Sequence, residues 1–219
     1  IFVVIGGVGF YILEYNNSLA NQSVGESVIT SLFQSVTRTS GFSTVDFDAS
    51  DGYGLGIPFM ILMLFLMFVG SSSSSTGGGI KTSTFAIIWA SFTKTIRGKK
   101  HTAIFNRTIS QDLIGKAFAV LLIFIGGNLI CIFALSITEA EILASQGRTI
   151  LDLVFEEVSA FGTVGLSTGI TADLSEAGKY IIVVSMFVGR VGTLTIAYLF
   201  GKKLLSRNYK YPSGHTMVG

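Results

Sequence analysis

The chain has 219 residues with 15 Lys and Arg against 13 Asp and Glu, so charged residues make up 13% of it and hydrophobic ones 49%. Soluble domains average about 25% charged residues, so this composition excludes an ordinary soluble globule. The net charge of +2 is too small to argue for a nucleic-acid partner, and the single cysteine, Cys131, excludes an internal disulfide framework and a cysteine-rich metal site.

Residues 1–13 are apolar from the first position and lack the basic start and small-residue cleavage site of a signal peptide. They read as a spanning helix whose beginning is expected to be missing. Residues 14–53 follow with five acids and one Arg, and within them Val28 to Val36 forms a short, partly apolar helical pattern. The segment 57–92 would make a continuous helix of about 54 Å, far longer than a bilayer is thick. It must break, and the break is visible: twelve residues, FMILMLFLMFVG, meet SSSSSTGGG at residues 71–79, after which IKTSTFAIIWASF resumes. Such a polar stretch at membrane depth survives only where it is buried in protein or lines a water-filled cavity.

Residues 94–116 carry six Lys and Arg and one acid, and 202–219 carry four and none, so both are assigned to the cytoplasm. Residues 117–137 hold no charge and read as a spanning helix. An outer stretch, 139–179, has seven acids and two basic residues and includes a second short helical pattern at 150–161, with Asp152 near its start, where a carboxylate suits the helix dipole. The last span, 180–200, holds one charge at its midpoint, Arg190. A charge there costs about 2.5–3.5 kcal/mol on insertion scales, so Arg190 should face protein or water. Trp89 and Tyr198 suit the interfacial aromatic belt. The acidic outer stretches are expected to raise the local cation concentration.

The order span, outer helix, turn, span occurs twice. Ile5-Gly6-Gly7 matches Ile125-Gly126-Gly127, Ser40-Gly41-Phe42-Ser43-Thr44 matches Val164-Gly165-Leu166-Ser167-Thr168, and Phe68-Val69-Gly70 matches Phe187-Val188-Gly189. The spans cross in the same directions in both copies, so the repeat is parallel. A short helix followed by Thr39-Ser40-Gly41, or by Thr163-Val164-Gly165, is a re-entrant pore-loop pattern. Its glycine permits backbone that other residues resist, and a ring of carbonyls can replace a cation's hydration shell. The expected fold is thus an all-α membrane protein of two parallel helix–pore loop–helix repeats.

The set TRTSGFST, SSSSSTGGGIKT, SAFGTVGLSTGIT, FVGRVGTLT and the closing YKYPSGHTMVG resembles the C-terminal half of the membrane subunit of the Trk/Ktr potassium transporters, Ktr type. That resemblance covers essentially the whole chain and implies four fused units of potassium-channel type, of which this chain supplies the third and fourth. It divides the chain into a third repeat at 1–93, a basic cytoplasmic linker at 94–116, a fourth repeat at 117–205 and a cytoplasmic tail at 206–219. The closing motif implies that the C-terminus is present.

The resemblance implies a selectivity filter to which the backbones of Thr39, Ser40, Gly41, Phe42, Thr163, Val164, Gly165 and Leu166 contribute half, with K+ as the transported ion. Glycine at both Gly41 and Gly165 resembles the potassium-passing members, and serine there goes with sodium preference. The stretch Ser71, Ser72, Ser73, Ser74, Ser75, Thr76, Gly77, Gly78 and Gly79 resembles an intramembrane gate beneath the filter, with Arg190 as a positive barrier near it. Lys81 reads equally as a cytoplasmic-end anchor or as a partner of that loop. Implied partners are the N-terminal half of the same subunit, a second membrane subunit in a homodimer, membrane lipids and a cytosolic nucleotide-binding regulatory ring, for which the basic segments could serve as docking faces. No covalent cofactor is implied; Na+ is a candidate activator, and the expected setting is the plasma membrane, crossed several times.

Two other classes compete. Gly165-Leu166-Ser167-Thr168-Gly169 is a literal G-x-S-x-G, but the histidines, His101 and His215, are assigned across the membrane from Ser167, so an intramembrane serine hydrolase is disfavoured and no enzyme is expected. Thr76 to Thr82 lacks a phosphate-loop spacing because Ile80 separates Gly79 from Lys81. A sodium-permeable or poorly selective transporter of the same fold is the nearer alternative. A piece without conduction of its own also remains, since two of four pore loops cannot close a filter.

Overall fold

The computed structural model describes residues 1–45, 47, 55–72, 75, 77–99, 101–105, 107–145 and 148–192. Among them the chain is built from helices: α1 (Phe2–Glu14), α2 (Val24–Thr37), α3 (Ile57–Phe68), α4 (Thr82–Ile96), α5 (Gln111–Thr138), α6 (Ala140–Ser145), α7 (Ile150–Phe161) and α8 (Glu176–Val191). A short 3-10 turn covers Ile170–Ala172, and a two-stranded antiparallel ribbon pairs β1 (Ala103–Ile104) with β2 (Arg107–Thr108) between α4 and α5. The tail at 206–219, the end of the last span after residue 192 and His215 lie outside the described residues.

Local chemistry sets the helix starts. Both short outer helices open on a capping box, in which side chain and backbone satisfy each other's donors. For α2 these are Ser23 and Glu26, and for α7 Thr149 and Asp152, whose carboxylate accepts from the Thr149 backbone N–H at 2.8 Å. Helix α3 opens with Pro58 in its first turn, where the missing N–H costs nothing. Helix α5 begins earlier than the apolar run, at Gln111, so its first turns take in Lys116 of the basic stretch. At 28 residues it is long and apolar enough to cross a membrane; α1 and α3 are apolar but shorter.

Helix α1 packs on α2 and α3, and α5 packs on α7 and α8, so in each half the first helix carries both a short capped helix and a later one. Phe10, Phe59, Met63 and Met67 join α1 to α3, and Phe155 of α7 ties the second half to the same cluster. Leu135, Leu153, Ala160 and Ile182 form the matching core of the second half. Between the halves Phe68, Phe124 and Phe161 stack edge to face, with centroids 5.2 and 5.0 Å apart. Large apolar side chains on the outer faces, among them Val4, Ile12, Leu122, Leu129, Phe133 and Phe187, stay exposed, as suits contact with lipid or further protein.

Two readings from the sequence change. The Ile-Gly-Gly motifs do not occupy equivalent heights: Gly6 and Gly7 stand about two turns before Glu14, whereas Gly126 and Gly127 stand about three turns before Glu139. Gly6 packs on Ser35 of α2 and Gly127 on the Phe161 ring of α7. The better anchors of the repeat are the two acids. Glu14, fully buried, accepts from the backbone N–H of Gly56 at the head of α3 at 2.8 Å, and Glu139, also fully buried, accepts from Ser175 N and Oγ at the head of α8 at 3.0 and 2.5 Å. Four acids counted with the outward-facing charges, these two and the buried Glu156 and Glu157, are thus turned inward to hydrogen-bond partners rather than standing on the open surface.

Candidate functional site

The break in the long apolar segment is a closed loop rather than a linker. Helix α3 ends at Phe68 and α4 starts at Thr82. Between them Val69 and Ile80, both fully buried, pair side by side: Gly70 N donates to Ile80 O at 2.9 Å, Ile80 N to Phe68 O at 3.2 Å, and Thr82 N to Ser71 O at 3.3 Å. Gly70 also sits against the Gly78 backbone so closely that any side chain there would collide with it. The chain therefore leaves the helix, loops and returns to its own exit, and the base of the loop has its backbone groups satisfied, as membrane depth demands.

Lys81 belongs to this loop. Its ammonium donates to the carbonyl oxygen of Ser75 at 2.8 Å and to that of Gly77, so it folds back over the loop it follows. Ser71 and Ser75 hydroxyls hold the Gly77 backbone from the other side, Ser71 Oγ donating to Gly77 O at 3.4 Å and Gly77 N donating to Ser75 Oγ at 3.2 Å. Ser72 is exposed. Ser73, Ser74 and Thr76 lie outside the described residues.

The turns at the ends of the short helices come next. After α7 the chain tightens: Gly162 N donates to Val158 O, Thr163 N to Ala160 O and Val164 N to Ser159 O, and Gly165 N reaches Ser159 Oγ at 3.2 Å. Thr163 and Gly165 both take positive φ, +52° and +93°. After α2, Ser40 N and Gly41 N both donate to Thr37 O, and Gly41 has φ +75°. The two turns meet. A methyl group on Gly41 would stand 2.5 Å from Val164 O and 2.9 Å from the carbonyl carbon of Gly165, and one on Gly165 would stand 3.6 Å from Gly41 Cα. Thr39 is half-buried, Val164 and Leu166 are buried, and Phe42 projects into the open at 70% exposure.

Among the described residues a bond across 85 residues of sequence ties loop and turn, from Gly78 N to Thr163 Oγ1 at 2.6 Å. Arg190 stands beside both: it lines a cavity of about 400 Å³ with Gly77, Gly78 and Gly79, and a hollow of about 310 Å³ with Thr163, Val164 and Gly165. The structure thus brings together the turns, the described part of the loop and Arg190.

Sequence reasoning missed Arg38, which it placed with the outer charges. Arg38 is 6% exposed, and its Nη1 donates to Leu66 O and Val69 O at 2.6 Å each, with the guanidinium 5.7 Å from the Phe2 ring. It caps the end of α3 where the loop begins, directly behind the first turn. The signal was available in its position: a lone Arg immediately before the Thr39-Ser40-Gly41 turn, in an otherwise acidic stretch.

The G-x-S-x-G serine is accounted for by its neighbours. Ser167 Oγ donates to Glu156 at 2.9 Å, Thr171 Oγ1 donates to the other oxygen of the same carboxylate, and Arg148 pairs with Asp173 at 3.0 Å, so this segment is pinned behind the second turn rather than poised as a nucleophile. His101 lines a hollow with Trp89, Lys94 and Arg97, away from Ser167.

Apolar helices, a satisfied backbone break inside them and two glycine turns that converge beside an arginine define a helical membrane transport protein. The chain belongs to the TrkH family of cation transport proteins, whose family model matches residues 1–211. Within it the chain is 40% identical over 223 residues to the Ktr system potassium uptake protein D of Bacillus subtilis, covering 99% of this chain and 46% of that protein. It is 42% identical over 217 residues to the Ktr system potassium uptake protein B of the same organism, covering 95% of this chain and 45% of that one. The fold matches the crystal structure of the potassium transporter TrkH from Vibrio parahaemolyticus with a TM-score of 0.64 at 20% identity, over 91% of this chain and 42% of that structure. The resemblance read from the motifs is borne out. The chain spans less than half the length of the curated relatives it matches.

Proposed function

We propose that this chain supplies two of the four turns of a potassium-uptake pathway in a multi-pass plasma-membrane subunit. The observation that carries the reading is the convergence of Gly41 and Gly165, two glycines from different helical units, each at positive φ and each at the end of a capped short helix. A cation shedding water needs several main-chain oxygens at once, and only backbone free of side chains can approach this closely. The backbones of Thr39 to Phe42 and of Thr163 to Leu166 contribute half of the filter, and the other half comes from further units of the longer subunit. The names of the two Ktr relatives support potassium as the substrate.

Residues 71–79 serve as the gate beneath the filter, with Arg190 as its positive companion. The bond between Gly78 and Thr163, and the place of Arg190 beside both, support this role. Residues 94–116 and 202–219 face the cytoplasm, where the basic stretches meet anionic lipid and a nucleotide-binding regulatory ring, and the subunit works as a homodimer, with Na+ as a candidate activator. The deciding experiment is potassium uptake by the full-length subunit in uptake-deficient cells, with and without Gly165→Ser. Uptake that is lost or altered in selectivity in the variant is expected. A full-length subunit that restores no potassium uptake, or a variant indistinguishable from it, would overturn the reading.

A further inference from the structure

The far end of α4 gathers chemistry that potassium passage does not use. A hollow of about 280 Å³ there is lined by Lys94, Arg97, Lys99 and His101, with the Trp89 ring and Ala103 of β1, and among the described residues no carboxylate lines it. Residues 94–111 hold five Lys and Arg and no acid. Trp89 also heads an apolar stripe: Phe92 and Ile96 follow it at helical spacing, and all three stay exposed. The ribbon that follows packs against α4. Its base is closed by the pairing of Ala103 with Thr108 and by Ile109 N donating to Thr102 O at 2.9 Å. At its tip Phe105 takes φ +47°, backbone that residues with a Cβ resist, and its ring is 96% exposed. Packing among the described residues does not offset that strain, and a large aromatic side chain held out in this way points to a partner outside the chain.

Basic side chains interleaved with exposed aromatic rings at the end of a membrane helix match the headgroup layer of a bilayer. Aromatic rings settle at that depth, and Lys and Arg meet anionic phosphates there. We propose that this hollow seats the headgroup phosphate of an anionic phospholipid of the cytoplasmic leaflet, with Phe105 inserted among the acyl chains beside it as an anchor. Lys94, Arg97 and Lys99 hold the phosphate, and the stripe from Trp89 to Ile96 lies along the apolar part of the lipid. The site rests on the cytoplasmic placement of residues 94–116 proposed above, and it narrows the attraction of that basic stretch for lipid to one seat. So held, the end of α4, which leads out of the loop at residues 71–79, is fixed to the leaflet. Binding itself does not depend on the gate assignment.

The test replaces Phe105 with the photocrosslinker p-benzoylphenylalanine in the full-length subunit, in liposomes of equal parts phosphatidylglycerol and phosphatidylcholine. Mass spectrometry of the peptide that holds position 105 identifies what it captured. Lipid adducts should dominate, with phosphatidylglycerol over phosphatidylcholine. Arg97→Gln should lower that ratio by about fivefold, the worth of one basic residue at an anionic membrane surface. Arg97→Lys should restore it, which separates lost charge from lost folding. Capture of protein in place of lipid would assign the face to a protein partner and overturn the proposal. No lipid adduct, equal capture of the two lipids, or a ratio unchanged in both Arg97→Gln and Lys94→Gln would overturn it as well. Potassium uptake is a separate readout: capture of phosphatidylglycerol by a subunit that restores no uptake would sink the transport reading alone, and normal uptake without capture would sink this one alone.

Discussion

The guanidinium of Arg38 donates to the carbonyl oxygen of Val69 at 2.6 Å, and the same nitrogen reaches that of Leu66 at 2.6 Å. Helix α3 must end here because the loop begins, and its last carbonyls have no helical partners. A charged donor is among the strongest available caps, and losing one from a buried site leaves acceptors unsatisfied at about 1–3 kcal/mol. Arg38→Met is therefore expected to destabilise the subunit by about 2–3 kcal/mol, and Arg38→Lys by less, since one ammonium can still reach one carbonyl. Thermal unfolding in detergent measures both; an unchanged midpoint for Arg38→Met would mean that the cap contributes nothing.

Glu14 and Glu139 do the same task in the two halves, each fastening the end of a first helix to the head of a later one. Gln keeps the shape but loses the charge and one acceptor, so each single substitution should cost about 1–2 kcal/mol. Among the described residues the two sites use different hydrogen-bond partners: Glu14 accepts from Asn17, Ser18 and Gly56, and Glu139 from Ser175. Their effects should add to within about 0.5 kcal/mol in the double variant. Strong non-additivity in the unfolding midpoints would show instead that the halves are coupled through these acids.

Much of this was legible in the sequence because membrane depth punishes exceptions. A nine-residue run of Ser, Thr and Gly inside an apolar segment can only be a break, and the break is where the sequence put it, between Phe68 and Thr82. The glycines of the two turns were legible for the same reason, since positive φ leaves few other residues. Long-range polar contacts were not. Glu14 and Glu139 are each the first charge after an apolar run, a pattern used only to mark where outer loops start, and nothing local says that such an acid turns inward to cap a distant helix. The Ile-Gly-Gly match misled because glycine pairs serve any close helix contact, and those two pack on different partners. Lys81 was undecidable because its partners are backbone carbonyls, which carry no sequence signal.

Gly41 and Gly165 are expected to respond differently to the same substitution. A Cβ at Gly41 has no room, standing 2.5 Å from Val164 O, so Gly41→Ser must displace the second turn. At Gly165 the space is ordinary, 3.6 Å from Gly41 Cα, and the cost is the backbone at φ +93°, about 1–2 kcal/mol for a residue with a Cβ. If both turns line a filter, Gly41→Ser should raise sodium permeation relative to potassium more than Gly165→Ser does. Ion fluxes from the full-length subunit in liposomes compare them. Unchanged selectivity in Gly41→Ser, with protein of normal yield, would remove the filter assignment.

Among the described residues the hydroxyl of Thr163 reaches across from turn to loop, accepting from Gly78 N at 2.6 Å. Thr163→Val keeps the shape and removes the acceptor, leaving Gly78 N without this partner at a cost of about 1–3 kcal/mol that falls on the loop. If residues 71–79 obstruct passage, loosening them should speed potassium flux. Thr163→Val is expected to raise it several-fold, deletion of Ser72 to Gly78 to raise it further, and Arg190→Gln to raise it independently by lowering the positive barrier. The order of these effects is informative. When the loop is deleted Thr163→Val should add nothing, because its partner is gone, whereas Arg190→Gln should still act through its charge. Initial rates in liposomes at fixed potassium gradient measure all of them, and a loop deletion that folds normally yet leaves flux unchanged would rule out the loop as a gate.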